Sequence, residues 1–325
     1  MKILLTGASG FIGTRLAEAL SQKHYVSCLL RSTPKNGLEK LPIRTYVGSF
    51  EDSVFLQKTL VSHDAIIHCA GSAGTWGSKS FYEKSNLELT KRLSQAAQEA
   101  KIKKWIQIST PSIYFEFKNQ KNISEDFLPK TLSSHYAESK LAADLYLLSQ
   151  KNLNTTILRP RFVLGRGDQQ ILPRILRYMK KGYYPLIGTG LQKIDVTNIT
   201  NLCQAVEKAL LVNSTLSGEV YNVSNGEPIT LLELIEEIKL HCGAPVKTIK
   251  IPKTIALFAA KVFEGLHALG VAPQNFWLHP LEVAVMTQDM TLNVDKIKRD
   301  LGYVPEKNFR SAIAEYFEIQ KAPTP

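Results

Sequence analysis

The sequence predicts an α/β protein: a doubly wound parallel sheet followed by a smaller, discontinuous C-terminal lobe. Three observations predict it. The chain has 325 residues, 44% of them hydrophobic and 21% charged, which is ordinary globular composition at a length that folds without staples. Its first half alternates short β-branched runs with longer helical patterns, as a parallel sheet wrapped by helices requires. A glycine-rich turn joins the first strand pattern to the first helix pattern.

Taken in order, strands are expected at 2–6, 25–30, 44–47, 65–69, 105–109 and 155–159. Helices are expected between them at 10–21, 53–60, 86–100 and 136–150. In the last of these Leu141, Leu145 and Leu148 recur at helical spacing. Right-handed crossovers place the carboxyl ends of all the strands along one edge, where such sheets bind ligands. Beyond Gly165 the pattern loosens. Helices are read at 171–181 and 199–212 and a late strand at 220–223. A further helix near 228–239 opens with Thr230 as N-cap and Glu233 three residues on, a capping box. An apolar helix at 255–269 is interrupted by Lys261, Glu264 and His267, and residues 321–325 read as a frayed tail.

Composition excludes several classes. The formal charge is +11, yet the basic residues are scattered and form no block that would track a phosphate backbone, so nucleic acid is not expected as a partner. Pairs such as Lys103-Lys104 and Lys180-Lys181 read as solvated helix ends. The charge implies a milder pull on anionic substrates, cofactors or membrane surfaces. Cys28, Cys69, Cys203 and Cys242 lie far apart with no C-x-x-C pair, and the histidines show no ligand spacing, so neither disulfide nor metal is expected. Met1-Lys2 leads into a short apolar run that ends at Thr6-Gly7, too short for a signal peptide. No run of about 18 apolar residues suggests a spanning helix. A cytoplasmic protein is expected.

The strongest motif is Thr6-Gly7-Ala8-Ser9-Gly10-Phe11-Ile12-Gly13. It follows a strand and opens a helix, the context of a dinucleotide fingerprint. Gly7 permits the tight turn, Gly10 leaves room for a pyrophosphate, and Gly13 lets helix and strand pack closely. The helix start then offers N–H groups and positive partial charge to phosphates. About 20 residues on, an acid would bind the ribose hydroxyls of NAD. Arg31 stands there instead, followed by Ser32 and Lys35. A guanidinium pairs with a 2′-phosphate bidentately, so NADP is preferred, with NAD as the alternative.

Tyr136-Ala137-Glu138-Ser139-Lys140 puts a phenol and an ammonium on one helix face. A nearby cation favours phenolate, so Lys140 is expected to lower the Tyr136 pKa and fit it for acid–base work. Alone the pair is common by chance. Its weight comes from following a fifth strand that ends in Ser109-Thr110. Thr110 is expected to hold a substrate oxygen, and Ser109 to face the nicotinamide side.

With these residues in place the chain resembles the extended short-chain dehydrogenase/reductase family over nearly its whole length, a Rossmann fold. The resemblance matches Gly7, Gly10 and Gly13 to the glycine motif and His68-Cys69-Ala70-Gly71 to the cofactor-lining fourth strand. Asn86 matches the structural Asn. Thr110, Tyr136 and Lys140 match the triad, and Pro160 the proline whose following backbone, here near Val163, meets the nicotinamide amide. Gly48-Ser49-Phe50 departs from the usual Gly-Asp beside adenine, leaving Ser49 and Phe50 as the residues near that ring. Trp76-Gly77-Ser78, Ser109-Thr110-Pro111-Ser112 and the stretch from Arg159-Pro160-Arg161 to Leu172-Pro173-Arg174 are most similar to the branch of 3β-hydroxysteroid dehydrogenases, sterol 4α-carboxylate 3-dehydrogenases and 2-alkyl-3-oxoalkanoate reductases. Sugar-nucleotide members tend to carry an Asn shortly after the sixth strand, where this chain reads Arg161-Phe162-Val163.

The resemblance implies hydride transfer between a secondary alcohol and a ketone on an apolar substrate, 3β-hydroxysteroid-like or a β-hydroxy or β-keto acid. A nucleotide-sugar epimerase or dehydratase with tightly bound NAD is the enzymatic rival. A non-catalytic dinucleotide-sensing protein is the rival of another class. It also implies a homodimer through the helices at 86–100 and 136–150. Residues 1–162 plus about 191–223 would form the dinucleotide-binding domain, with about 163–190 plus 224–320 as the substrate lobe. Trp76 and Ser112 are candidate substrate contacts, though Trp76, Phe81 and Tyr82 suit packing equally. Arg161, Arg166 and Arg174 are candidates for a substrate carboxylate or phosphate, or else ion pairs. The 255–269 helix roofs the pocket, touches a bilayer, or packs in a core or dimer.

Overall fold

The computed structural model describes residues 1–34, 37–212, 217–269 and 278–321. The expectations for Lys35 and for tail residues 322–325 lie outside the described residues. A parallel sheet of seven strands runs in the spatial order Glu219–Val223, Asn154–Pro160, Lys104–Ile108, Ala65–His68, Lys2–Thr6, Tyr25–Leu30, Arg44–Val47. Every pairing is parallel. Strands covered on both faces must be apolar throughout. Accordingly Ile3, Leu4 and Leu5, then Ile66 and Ile67, then Trp105 and Ile106, are all buried. The chain first walks from Lys2–Thr6 to one edge and then returns to pair Ala65–His68 on the other side. That reversal opens a crevice at the carboxyl ends of these two strands.

The expected helices form at Phe11–Ser21, Ser53–Leu60 and His135–Leu148. Asp52 caps the second by accepting from the Phe55 N–H at 3.0 Å, and Ser134 caps the third through Ala137 N–H at 3.2 Å. The helix expected from residue 86 is regular only over Leu89–Glu99. Before it, Glu83–Glu88 winds as a wider i→i+5 turn. Such a turn inserts an extra residue and re-aims a side chain, here Asn86.

The remainder builds a second assembly around its own apolar clusters, in which Leu172, Leu176, Leu186, Ile235 and Ile313 are buried. Its four-stranded sheet runs Ile229–Thr230, Lys193–Ile194, Met290–Leu292, Gln120–Ile123. Gln120–Ile123, from the first half of the chain, thus pairs with Met290–Leu292 near its end. The capping box forms as expected: Thr230 accepts from Glu233 N–H at 3.0 Å and opens Leu231–Leu240. Among the described residues no helix is long and apolar enough to cross a membrane.

Candidate active site

A cavity of about 330 Å³ lies in the crevice. Its floor is the turn between the first strand and first helix. Gly7 has φ +73°, and a Cβ there would sit 2.6 Å from the Ala70 nitrogen, so only glycine fits where the two strand ends approach. A Cβ on Gly13 would lie 2.2 Å from the Gly7 oxygen, which explains that glycine by helix–strand packing. Gly10 differs. A Cβ there would meet nothing closer than 3.4 Å and would instead fill the cavity. No side chain caps the helix start at Gly10. A glycine-made cradle facing an uncapped helix N-terminus fits a pyrophosphate. The motif did not single out Thr14, whose hydroxyl donates to Ala8 (2.8 Å) and Gly10 (2.9 Å) carbonyls and ties the turn down.

The next wall comes from the fourth strand and the turn after it. His68 is fully buried, bridging Thr6 at 2.6 Å and Thr90 at 3.2 Å, with its ring edge-on to Trp105. Burial pushes this imidazole down to about 3, the Lys140 charge adding to the effect, so it is neutral at physiological pH. Cys69, Ala70 and Gly71 line the cavity. Asn86, re-aimed by its wide turn, accepts from Ser72 N–H at 2.8 Å and donates to the Ser72 carbonyl (3.1 Å) and the Ser139 hydroxyl (2.9 Å). Ser139, inside the Tyr–Lys motif, is therefore the link between the two helices.

Thr110, Tyr136 and Lys140 come together on the third wall, with Ser112 beside them. Tyr136 shares a hydrogen bond with the Thr110 hydroxyl, which also donates to the Ser112 hydroxyl at 3.0 Å. Lys140, one helical turn beyond Tyr136, donates to the Ile108 carbonyl at 2.8 Å. The expected lowering of the Tyr136 pKa is reversed. Burial, the largest effect, pushes the phenol up to about 12, and the Thr110 hydrogen bond opposes it only in part. Burial also draws the Lys140 ammonium down, against the raising influence of Asp144. Ser109 lines the cavity, but its hydroxyl is committed to Asp144 at 2.7 Å rather than offered to the nicotinamide side.

Asp144 anchors a buried network that sequence spacing alone did not mark. The Arg159 guanidinium grips one Asp144 oxygen at 3.0 and 3.2 Å and donates to the Tyr114 hydroxyl at 2.7 Å. Tyr114 in turn donates to Asn222 at 2.9 Å. Asp144 lies four residues after Lys140 on the same helix, the one signal available. The network fixes the three strand ends beneath the Tyr–Lys pair.

The last wall follows the sixth strand: Pro160, Arg161, Phe162 and Val163. Phe162 has φ +38°, a strained value for a residue with a large side chain. Thr197 holds it by donating from its hydroxyl to the Arg161 carbonyl (2.7 Å) and from its N–H to the Phe162 carbonyl (3.2 Å). The Arg161 guanidinium stacks 3.9 Å over the Phe162 ring. Burial draws it down to about 10 while Asp195 raises it.

Several expected residues lie outside this cavity. Arg166 pairs with Glu18 at 2.6 Å and Arg174 with Glu282 at 3.4 Å, both on the surface, so the ion-pair alternative describes their contacts. Trp76 packs between His267 and His279, with centroids at 4.5 and 4.8 Å, instead of lining the cavity. Phe50 rests against the core beneath the sheet, and the Ser49 hydroxyl accepts from Glu51 N–H. Arg31 and Ser32 are exposed just past the second strand, and Ser9 is exposed in the glycine turn. None of these five lines the cavity.

The sequence model of the NAD dependent epimerase/dehydratase family matches residues 3–224. The chain belongs to that family. It is an enzyme of the extended short-chain dehydrogenase/reductase type, with relatives in the hydroxysteroid dehydrogenase and oxoalkanoate reductase branch. It is 27% identical to a 2-alkyl-3-oxoalkanoate reductase of Stenotrophomonas maltophilia over 96% of this chain and 97% of that one. It is 25% identical to a 3-beta-hydroxysteroid dehydrogenase of Mycolicibacterium neoaurum, over 97% and 90%. Among solved structures, UDP-glucuronic acid 4-epimerase from Bacillus cereus in complex with NAD matches with a TM-score of 0.78. At 22% identity, over 98% of this chain and 96% of that one, that likeness speaks for the fold alone.

Proposed function

We propose that this family member interconverts a secondary alcohol and a ketone on an apolar substrate, 3β-hydroxysteroid-like or a β-hydroxy or β-keto acid, with NADP(H) preferred. The observation that carries the reading is the cavity itself. A glycine cradle at a helix start and a Thr110–Tyr136–Lys140 cluster face the same space. Full-length similarity to reductases and hydroxysteroid dehydrogenases supports the substrate class.

The nicotinamide dinucleotide supplies hydride chemistry when bound. The residues proposed to hold it are Gly7, Ser9, Gly10, Phe11, Ile12 and Gly13 at the phosphates, Cys69, Ala70, Gly71, Asn86 and Ser109 along the fourth and fifth strands, and Pro160 and Val163 opposite. Ser49 and Phe50 would stand by the adenine, with Arg31 and Ser32 at the ribose. Arg31 stands exposed at the place where an acid would bind the ribose hydroxyls and repel a 2′-phosphate, hence the preference for NADP. In the reductive direction Tyr136 gives its proton to the substrate oxygen while Thr110 orients it, and Lys140 holds the ribose side. A phenol pushed up to about 12 stays protonated across the working range, which suits the donor role. Arg161 and Ser112 border the space left for substrate. The helices Leu89–Glu99 and His135–Leu148 would carry a homodimer, Leu145 being exposed on the second.

The deciding experiment offers purified protein NADPH and NADH with apolar 3-keto acids, sterol ketones and sugar nucleotides. Oxidation of NADPH with either of the first two classes is the expected result. Turnover confined to UDP- or dTDP-sugars would overturn the reading.

A further inference from the structure

We propose that the outward side of the helix Lys253–Ala268 docks this protein on an anionic lipid bilayer. Ile255, Phe258, Val262, Leu266 and the following Leu269 are 59, 72, 44, 36 and 77% exposed. At about 100° per residue these five fall within an arc of roughly 80°. The opposite arc carries the buried Ala256 and Ala260, which pack with Ile187, Leu278 and Val283. Surface helices of soluble domains bury their large apolar residues. This one turns small alanines inward and five large side chains to solvent.

The charges around the stripe select its occupant. Lys261 is exposed beside the stripe on the helix, and Lys250 and Lys253 are exposed at the helix's N-terminal end. The helix's one acid, Glu264, is drawn to His279 at 3.4 Å. The stripe is therefore apolar with a cationic border, the pattern of a helix lying in a lipid interface. A second copy of the chain suits it less well. Facing copies would bring like charges together. With no membrane-crossing helix among the described residues, the contact is one of surface insertion. The same helix holds Trp76 through His267, in the loop whose start, Ser72 and Ala73, lines the cavity. Docking would bring that loop towards the lipid. The proposal stands on this surface and does not depend on the substrate reading.

The test is flotation of the full chain with vesicles of phosphatidylcholine, alone or with roughly a third phosphatidylglycerol, at low and high salt. Binding to the anionic vesicles that weakens with salt is the expected result. Phe258→Ser with Leu269→Ser should cut vesicle partitioning at least tenfold, with thermal unfolding unchanged. Lys253→Gln with Lys261→Gln should erase most of the preference for anionic over neutral vesicles. Failure of the wild-type chain to float with anionic vesicles overturns the proposal. So does a dimer in sedimentation that the Phe258→Ser, Leu269→Ser pair converts to monomer, because the stripe would then be a self-interface.

Discussion

The glycine wall of the cavity and the wall after the sixth strand are shaped by opposite means. On the first, side chains are missing: Gly7 and Gly13 have no room for a Cβ, and Gly10 leaves its space to the cavity. On the second, side chains crowd: Arg161 lies on Phe162, whose backbone is held at φ +38° by Thr197. The first wall presents mainly backbone to the cavity, so it suits a ligand part common to many proteins. The second is specified by particular side chains, so it is where members of one family can differ. Between them stands the Tyr136 cluster, which belongs to neither.

The largest test of this division acts on the cluster. Tyr136→Phe is expected to lower turnover by about 10²–10⁴ while leaving dinucleotide affinity within a factor of two or so. Turnover retained in the variant would remove the phenol from the chemistry. The two glycines of the first wall then separate packing from binding. Gly13→Ala forces a Cβ to 2.2 Å from the Gly7 oxygen and should destabilise the fold by about 1–3 kcal/mol in urea unfolding. Gly10→Ala should unfold like wild type yet bind NADPH about tenfold more weakly in fluorescence titration. Equal behaviour of the two would erase the distinction.

His68 sharpens the comparison from below, because it braces the glycine wall through Thr6. Its folded-state value near 3 lies below its unfolded value near 6.5, so the unfolded chain takes up the proton first. Stability from this group is complete above pH 6.5 and is lost as pH falls towards 3. The rate of loss is about 1.4 kcal/mol per pH unit at most. Urea midpoints between pH 6.5 and 4.5 should fall less steeply in His68→Asn than in wild type, and parallel slopes would contradict the assignment. The smallest effect belongs to Arg166→Ala. Its exposed pair with Glu18 should cost within about 0.5 kcal/mol and change turnover less than about threefold.

How much of this was legible in the sequence follows from where the specifying contacts lie. The six strand expectations fall within a residue of the observed ends, and the central strands, buried on both faces, are written as local apolar runs such as Ile3-Leu4-Leu5. Gly7, Gly10, Gly13, Thr110, Tyr136 and Lys140, which the fold gathers round one cavity, stood out in the sequence because turn geometry and helical spacing are local properties. The network of Asp144, Arg159, Tyr114 and Asn222 was not, because no periodicity relates residues drawn from four separate elements. The direction of the Tyr136 shift was misjudged for a related reason: charge is visible in a motif, and burial is not. The sequence left Trp76 between a pocket wall and packing, because its packing partners His267 and His279 lie about 200 residues further along the chain.

One pairing bears on how the molecule comes into being. Gln120 aligns with Met290, 170 positions later, and Asn222 reaches both the Ile123 and Asn293 carbonyls. At about 5–20 residues per second, a ribosome adds those 170 residues in roughly 10–35 s. For that interval the nascent segment around Gln120–Ile123 lacks Met290–Leu292, the strand it pairs with among the described residues. Chaperone shielding and proteolytic nicking during synthesis should therefore concentrate there, and a chain cut short before Met290 would never supply that strand.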